Sequence, residues 1–401
     1  MKISQKGRSA IYLGTLCSIS YFAVYIARNI LGAVTPNMTE SGFSLDHIGN
    51  VAAAFLLSYA IGQLINGWLG DRIKAKYMIC FGLLSAGIAN IVFVLLSGMP
   101  KISLIAYAWT GFSLSMIYGP MTKLVAESVE LVYATRCSLG YTFASFFGSP
   151  AAGLLATFFA WQTTFHISSA ALISMSVVCF TLFSLFEKKG IVKYRDTNGV
   201  KQKKDYKVLF KRNIIMFSFI SMITGVIRTS WLSFLTMYFV ERLNYSQVES
   251  TSIFSVATLI ISFTTFIAIF IYERLNKNMY LSQLIFFVTS ALFFVLTYFV
   301  TNPILNIVFM ILAIMASNSV ATMLWSVYCP SMCDTGLVSS VTGFLDFLSY
   351  IAAALASLVT PKLVKLIGWD NFLFVIMALI LCGVFTCALH YITRKKKTET
   401  N

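Results

Sequence analysis

The chain is a series of apolar runs, each long enough to cross a lipid bilayer as a helix. A bilayer core is spanned by about 20 apolar residues in helical conformation. Twelve candidate spans lie at about 10–34, 47–69, 77–98, 103–127, 135–158, 162–186, 213–240, 248–272, 279–300, 303–328, 337–361 and 370–393. This repetition predicts an all-α membrane protein with twelve transmembrane helices.

The low charge content excludes several classes of protein. Charged residues make up 11% of the chain and hydrophobic residues 58%, whereas a soluble protein contains about 25% charged residues. A soluble enzyme, a nucleic-acid-binding domain and a disordered chain are therefore excluded. The net charge of +15 is confined to short segments between apolar runs, which is typical of membrane topology. We expect the lipid bilayer as a partner and no nucleic acid.

Basic residues are unequally divided between the two sides of the predicted membrane. Most of the 30 Lys and Arg residues lie in the two terminal segments and in the loops on their side. The loops of the opposite side contain only Lys101, Arg242, Lys362 and Lys365. Because loops rich in Lys and Arg stay in the cytoplasm, we expect a multi-pass protein of the cell (plasma) membrane with both termini cytoplasmic.

The chain is predicted to consist of two six-helix halves. Residues 187–212 form the longest break and are rich in lysine, which indicates a cytoplasmic linker between residues 1–186 and 213–401. Attraction of this linker to lipid headgroups is an alternative. Arg28 in span one and Arg228 in span seven are 200 residues apart, and an acidic residue followed by arginine ends both span two and span eight. These repeats favour a duplicated half.

No sequence feature indicates a cofactor or a metal. Most cysteines lie in apolar runs, where they act as small hydrophobes, and no second Cys or His pair completes a zinc site. The phosphate-binding loop of nucleotide hydrolases does not occur. We therefore expect no cofactor, no direct use of ATP by this chain and no enzymatic activity.

Three basic residues, Arg28, Lys123 and Arg228, lie inside predicted spans, whereas Asp346 is the one acidic residue deep in a span. A charge in the bilayer costs at least a few kcal/mol unless a partner or a water-filled cavity receives it. Asp346 can neutralise one of the three cations, so an anionic ligand is the natural complement of the others. A purely structural network is the alternative, and Lys123 is close enough to the cytoplasmic end of its span to snorkel.

Several polar residues are placed to line a site around these cations. Tyr21 and Tyr25 share a helical face with Arg28 because they precede it by seven and three residues. Thr224 lies one turn before Arg228, and Gln63 in span two is a further candidate for the lining. Hydroxyl groups donate hydrogen bonds to anionic oxygens. The alternative interpretation of the tyrosines is a packing stripe.

The end of span two resembles a known loop signature. Gly67 begins the sequence GWLGDRIKAK, which includes Asp71 and Arg72 and is similar to the G-x-x-x-D-R loop of the major facilitator superfamily. With twelve spans and a basic central loop, the chain is identified as a member of that superfamily. The resemblance implies a gating role for Asp71 and Arg72, which would stabilise one closed conformation of the cytoplasmic side.

Further segments resemble the organophosphate:phosphate antiporters. They are Tyr25-Ile26-Ala27-Arg28-Asn29, Tyr118-Gly119-Pro120-Met121-Thr122-Lys123, Gly225-Val226-Ile227-Arg228, Thr342-Gly343-Phe344 and Gly368-Trp369-Asp370. In that family the arginine pair binds the phosphoryl group, which is what the resemblance implies for Arg28 and Arg228. Glycerol-phosphate members have a lysine near Gln63 and a histidine near Ala144, and they have an acidic residue and a tryptophan near Ser233 and Phe234. These departures leave the organic part of the substrate open.

The sequence thus predicts a secondary transporter for a small phosphorylated or phosphonate organic anion. We expect a monomer that works by alternating access, and the resemblance favours exchange for inorganic phosphate. Proton symport through Asp346 is an alternative mechanism, since protonation cancels its charge. The alternative functions are a drug transporter of the same fold and a membrane sensor of sugar phosphates, because the family also contains such a sensor.

Overall fold

The protein is described by a computed structural model that covers residues 5–194 and 207–399. Within these ranges the regular secondary structure is entirely helical. Nine described helices are long and apolar enough to cross a membrane, and the bent pair Ile214–Thr229 and Phe234–Glu241 makes a tenth. The predicted all-α membrane architecture is therefore confirmed.

Several predicted spans are not single separate helices. Span eight is divided into Gln247–Ser262 and Thr264–Arg274, with Phe263 between them. Span five is divided into two helices that meet at Phe147. Spans eleven and twelve form one continuous element, in which Gly368 has the non-helical torsion angles φ 77° and ψ 167°. An amino acid with a side chain rarely adopts this φ, so glycine lets the chain turn there without strain.

The described residues fall into two compact units. Unit 1 contains the N-terminal residues through 205, within the described ranges, together with residues 328–347. Its long helices are α1 (Gln5–Glu40), α2 (Leu45–Gly70), α3 (Ala75–Leu95), α4 (Pro100–Ser128), α5 (Leu131–Phe146), α6 (Gly148–Phe158) and α7 (Trp161–Lys188). Residues 328–347 contribute the short helix α15 (Cys329–Ser331), a 3₁₀ turn (Met332–Thr335) and the first turns of α16 (Val338–Glu399).

The helices of unit 1 begin and pack for identifiable reasons. Ser44 caps α2, because its side chain accepts a hydrogen bond from the backbone N–H of His47 at 3.2 Å. Pro100 occupies the first turn of α4, where its missing N–H costs nothing. Between α3 and α7, Gly87 allows close packing, since a Cβ there would lie 3.0 Å from the Ser169 carbonyl oxygen.

Unit 2 contains residues 206–327 and 348–401 within the described ranges. Its helices are α8 (Lys207–Lys211), α9 (Ile214–Gly225), α10 (Leu232–Glu241), α11 (Gln247–Ser262), α12 (Thr264–Arg274), α13 (Met279–Phe299), α14 (Pro303–Met323) and the remainder of α16. Two π-helical segments, Val226–Trp231 and Leu324–Tyr328, follow α9 and α14.

A polar network joins the end of α10 to the turn at Gly368 in unit 2. The Arg242 guanidinium donates to the Asp370 carboxylate at 2.6 Å and to the Tyr238 hydroxyl at 2.7 Å. The Trp369 indole N–H donates to the Glu241 carboxylate at 2.8 Å. These contacts fix the helix that follows the π-helical segment Val226–Trp231.

Candidate functional site

Arg28 lies half-buried in α1, against the faces of two tyrosine rings. Its guanidinium carbon is 4.5 Å from the centroid of the Tyr59 ring and 5.3 Å from that of Tyr25. A cation over an aromatic face is attracted by the negative face of the ring, and the attraction is larger where water is excluded. The two rings therefore offset part of the cost of placing this cation inside a membrane span.

Arg28 lies beside a cluster of tyrosines in unit 1. The Tyr21 ring lies 5.0 Å from Tyr25, 5.4 Å from Tyr118 and 5.8 Å from Tyr141. The structure thus brings Tyr21, Tyr25 and Arg28 together, and it adds Tyr59, Tyr118 and Tyr141 from three other helices. Sequence analysis assigned no site role to these three additional residues; Tyr118 was signalled only as part of the fourth-helix segment.

Asp346 and Gln63 are buried in the same unit. Asp346 is 5% exposed and interacts electrostatically with Tyr21. Gln63 is 1% exposed, and neither of its amide atoms has a hydrogen-bond partner within the described protein. A buried polar group left unsatisfied costs about 1–3 kcal/mol. Gln63 is therefore suited to bind a polar ligand group.

Asp71 follows α2 directly and binds the start of α16. Its Oδ1 accepts a hydrogen bond from the Ser339 N–H at 2.9 Å, and its Oδ2 accepts one from the Ser340 N–H at 2.8 Å. The first N–H groups of a helix have no partner inside the helix, and this end of the helix dipole attracts an anion. We call this contact the Asp71 latch.

Glycines allow the backbones around the Asp71 latch to approach closely. A Cβ on Gly67 would lie 2.8 Å from the Ser339 carbonyl oxygen and 2.9 Å from the Gly343 Cα. A Cβ on Gly70 would collide with the Ser339 Oγ and lie 2.9 Å from the Pro120 Cγ. Small residues at such positions are typical of helix contacts in membranes.

Two further predicted site residues meet the end of α2: Arg72 follows this helix in the chain, and the Lys123 side chain reaches it from α4. Lys123 is 9% exposed, and its ammonium donates a hydrogen bond to the Gly70 carbonyl oxygen at 2.9 Å. The exposed Arg72 donates to the Trp68 carbonyl oxygen at 3.0 Å and covers the Trp68 ring. The structure therefore places Lys123, a predicted substrate ligand, beside the predicted gating residues.

Arg228 belongs to unit 2 and lies half-buried in the π-helical segment Val226–Trp231. Short π-helical insertions occur frequently at functional sites. Thr224, one turn earlier, donates its hydroxyl hydrogen to the Ile220 carbonyl oxygen at 2.8 Å, so that hydrogen is used inside the helix. Trp231 closes the segment and packs 5.5 Å from the Phe372 ring.

No group of three or more His, Cys, Asp or Glu residues in the described ranges is arranged to hold a metal ion.

Comparison with protein families gives a match that spans most of the chain. The family described as the Major Facilitator Superfamily matches residues 17–357.

Curated relatives match over short stretches only. The membrane sensor protein UhpC of Escherichia coli (strain K12) is 32% identical over 76 residues, which are 19% of this chain and 17% of that protein. The putative glycerol-3-phosphate transporter 5 of Arabidopsis thaliana is 46% identical over 46 residues, or 12% of this chain and 9% of the relative. The probable hexose phosphate transport protein of Chlamydia trachomatis is 26% identical over 83 residues, or 20% and 18%. These matches support the resemblance to organophosphate transporters, although this chain covers less than a fifth of each relative.

Solved structures match over nearly the whole length and show the fold. FucP of the Major Facilitator Superfamily, in its outward conformation, gives a TM-score of 0.76 at 13% identity and covers 95% of this chain and 99% of its own. The bacterial homologue of the iron transporter ferroportin, in its outward-facing state, gives a TM-score of 0.75 at 10% identity, with coverage of 94% and 98%.

Proposed function

Because the chain belongs to the Major Facilitator Superfamily, and is thus a multi-pass membrane transporter rather than an enzyme, we propose that it moves a small phosphorylated or phosphonate organic anion. The transported anion is exchanged for inorganic phosphate by alternating access. The protein acts as a monomer in the cell (plasma) membrane with both termini in the cytoplasm. Relatives named as glycerol-phosphate and hexose-phosphate transporters support this class of substrate.

The single observation that carries the proposal is the setting of Arg28. Its guanidinium is held by the rings of Tyr25 and Tyr59 within a membrane-spanning helix, and Tyr21 extends the polar lining. A planar guanidinium fork matches the oxygens of a phosphoryl group. The predicted spans contain one deep acidic residue, Asp346, and the three cations Arg28, Lys123 and Arg228, and this excess of positive charge favours an anionic substrate.

The binding residues have distinct proposed roles. Arg28 and Arg228 bind the phosphoryl oxygens, and Tyr21, Tyr25, Gln63 and Thr224 contact the substrate. The hydroxyl hydrogen of Thr224 is donated within the helix, so its oxygen accepts a hydrogen bond from a hydroxyl group in the organic part of the substrate rather than from the phosphoryl oxygens. Asp71 and Arg72 act in gating: the latch at Ser339 and Ser340 opens and closes one side of the transport path.

The experiment is uptake of radiolabelled phosphate into proteoliposomes with and without phosphate inside. Exchange predicts uptake only into phosphate-loaded vesicles, and loss of that uptake in Arg28→Lys. Arg274→Lys is the matched control, since Arg274 is exposed and lies against its own helix neighbour Phe270. Equal uptake by Arg28→Lys and the parent protein would refute the proposed anion site.

Proton symport is a second candidate mechanism, and buried Asp346 favours it. A carboxylate that is 5% exposed inside a spanning helix is a suitable proton carrier. Uptake driven by a pH gradient into vesicles without internal phosphate would support symport over exchange.

Sensing is a second candidate function, favoured by the sequence similarity to UhpC. A sensor binds phosphate-bearing ligands without moving them. Tight binding by the purified protein together with no uptake under either gradient would support that function.

A further inference from the structure

Lys123 is the one buried cation of unit 1 that donates to a helix end among the described contacts. Its ammonium binds the Gly70 carbonyl oxygen at 2.9 Å, and Gly70 is the last residue of α2. The final carbonyl groups of a helix have no partner within it, and they lie at the negative end of the helix dipole. This cation is therefore satisfied by protein, at the residue immediately before Asp71.

We propose that Lys123 is a positioning residue of the Asp71 latch rather than a ligand of the substrate. By holding the Gly70 carbonyl group, it fixes the chain direction at the end of α2. The Asp71 carboxylate then meets the Ser339 and Ser340 N–H groups. The inference rests on the gating role proposed above for Asp71.

The packing around Gly70 explains why such a restraint matters. The Ser339 Oγ occupies the place that a side chain on Gly70 would take. It would also lie 2.8 Å from a Cβ added at Gly119. The start of α16 thus sits in a socket formed by α2 and α4. A hydrogen bond from Lys123 in α4 to Gly70 in α2 holds the two walls of this socket at a fixed separation.

Cys333 supplies a reporter for the same contact. Its thiol donates to the carbonyl oxygen of Ala126, which lies three residues after Lys123 in α4, at 3.1 Å. Cys333 is half-buried, and the other cysteines are buried apart from Cys382. In a Cys382→Ser background, alkylation of Cys333 by a maleimide therefore measures how often residues 328–347 separate from α4.

The test compares Lys123→Gln, Lys123→Arg, Asp71→Asn and the Lys123→Gln/Asp71→Asn double variant in that background. Glutamine is uncharged and one bond too short to reach the Gly70 oxygen, whereas arginine keeps a charged donor. Since a hydrogen bond to a charged group is worth about a factor of ten or more, we expect Cys333 in Lys123→Gln to be alkylated about tenfold faster. Lys123→Arg should stay near the parent rate, and phosphate affinity should stay within a few-fold in both variants.

The double variant separates this inference from the gating role itself. If Lys123 acts through Asp71, Lys123→Gln/Asp71→Asn should be alkylated no faster than Asp71→Asn alone. An unchanged rate in Asp71→Asn would refute the gate. If Cys333 is alkylated faster in Asp71→Asn but at the parent rate in Lys123→Gln, only the role of Lys123 is overturned. The same holds if the two substitutions raise the alkylation rate additively. Loss of phosphate binding without faster alkylation would make Lys123 a ligand.

If Lys123→Gln does not fold, Lys123→Met is used with the same expectations, because methionine also lacks the charge and the hydrogen-bond donor.

Discussion

At the scale of single residues, the aromatic ring of Tyr59 is the least expected part of the candidate site. It is 2% exposed and lies 4.5 Å from the Arg28 guanidinium. Tyr21, Tyr25 and Arg28 could be predicted together because helical spacing is local. Tyr59, Tyr118 and Tyr141 could not, since their contacts depend on how α2, α4 and α5 pack against α1.

Tyr59→Leu and Tyr59→Phe form a matched pair that tests this ring. Phenylalanine keeps the ring face, so we expect Tyr59→Phe to bind phosphate nearly as the parent protein does. Leucine removes the cation–π contact, worth about 0.5–2 kcal/mol or roughly a twofold to thirtyfold change in affinity. The measurement is phosphate titration of the purified proteins; equal weakening in both variants would assign the effect to the hydroxyl group instead.

Asp346→Asn tests the buried carboxylate. In the exchange mechanism Asp346 carries no proton, so exchange in phosphate-loaded vesicles should be retained; if its carboxylate neutralises a buried cation, the substitution should also lower the free energy of unfolding by several kcal/mol. Glu130→Gln is the control, because Glu130 pairs with Lys6 and both side chains are exposed, where ion pairs contribute little. Exchange lost in folded Asp346→Asn would contradict this expectation, and unchanged stability would show that the carboxylate does not neutralise a buried cation.

At the scale of helices, glycines determine how closely α2 and α16 approach. A Cβ on Gly343 would collide with the Gln63 carbonyl oxygen and lie 2.8 Å from the Gly67 Cα. These neighbours are backbone atoms that cannot rotate away. The sequence predicted the gating motif at Asp71, but its partner Ser339 lies 268 residues along the chain, and helical periodicity carries no information about such a pairing.

Gly343→Ala should therefore force α2 and α16 apart. Overpacking a close contact typically costs about 1–3 kcal/mol, and we expect a lower melting temperature together with faster alkylation of Cys333. Gly153→Ala is the control, since an added Cβ at Gly153 in α6 meets no atom within 4 Å. Similar behaviour of the two variants, measured by thermal unfolding and maleimide labelling, would refute the proposed tight contact.

At the scale of the whole molecule, the fold follows from the spacing of apolar runs, whereas the site does not. Apolar length alone predicted the all-α membrane architecture, and the family match and FucP confirm the fold. The division at residues 187–212 stays a prediction, because residues 195–206 lie outside the described ranges. The placement of Lys123 at Gly70 depends on where α2 ends, and helix ends are set by capping contacts that spacing does not reveal.

The proposed use of Arg28 and Arg228 is a property of the complete chain, because each belongs to a different unit. Charge-assisted hydrogen bonds contribute about 1.5–3 kcal/mol each, so either arginine-to-lysine variant should weaken phosphate binding by at least about tenfold. Lysine keeps the charge and loses the planar fork, so it should not substitute for arginine. Transport should fall further than binding, since closure also requires the bound anion.

A double-mutant cycle shows whether both arginines act on one anion. If they do, the loss of binding free energy in Arg28→Lys/Arg228→Lys should be smaller than the sum of the losses in the two single variants. The first substitution already weakens the contact with the anion on which the second one acts. Two independent anion sites would instead give additive losses. The measurement is phosphate titration of the four purified proteins that remain folded by thermal unfolding. Additive losses would show that the two arginines bind separate anions and would refute the shared site. Unchanged affinity in both single variants would refute phosphoryl binding by either arginine.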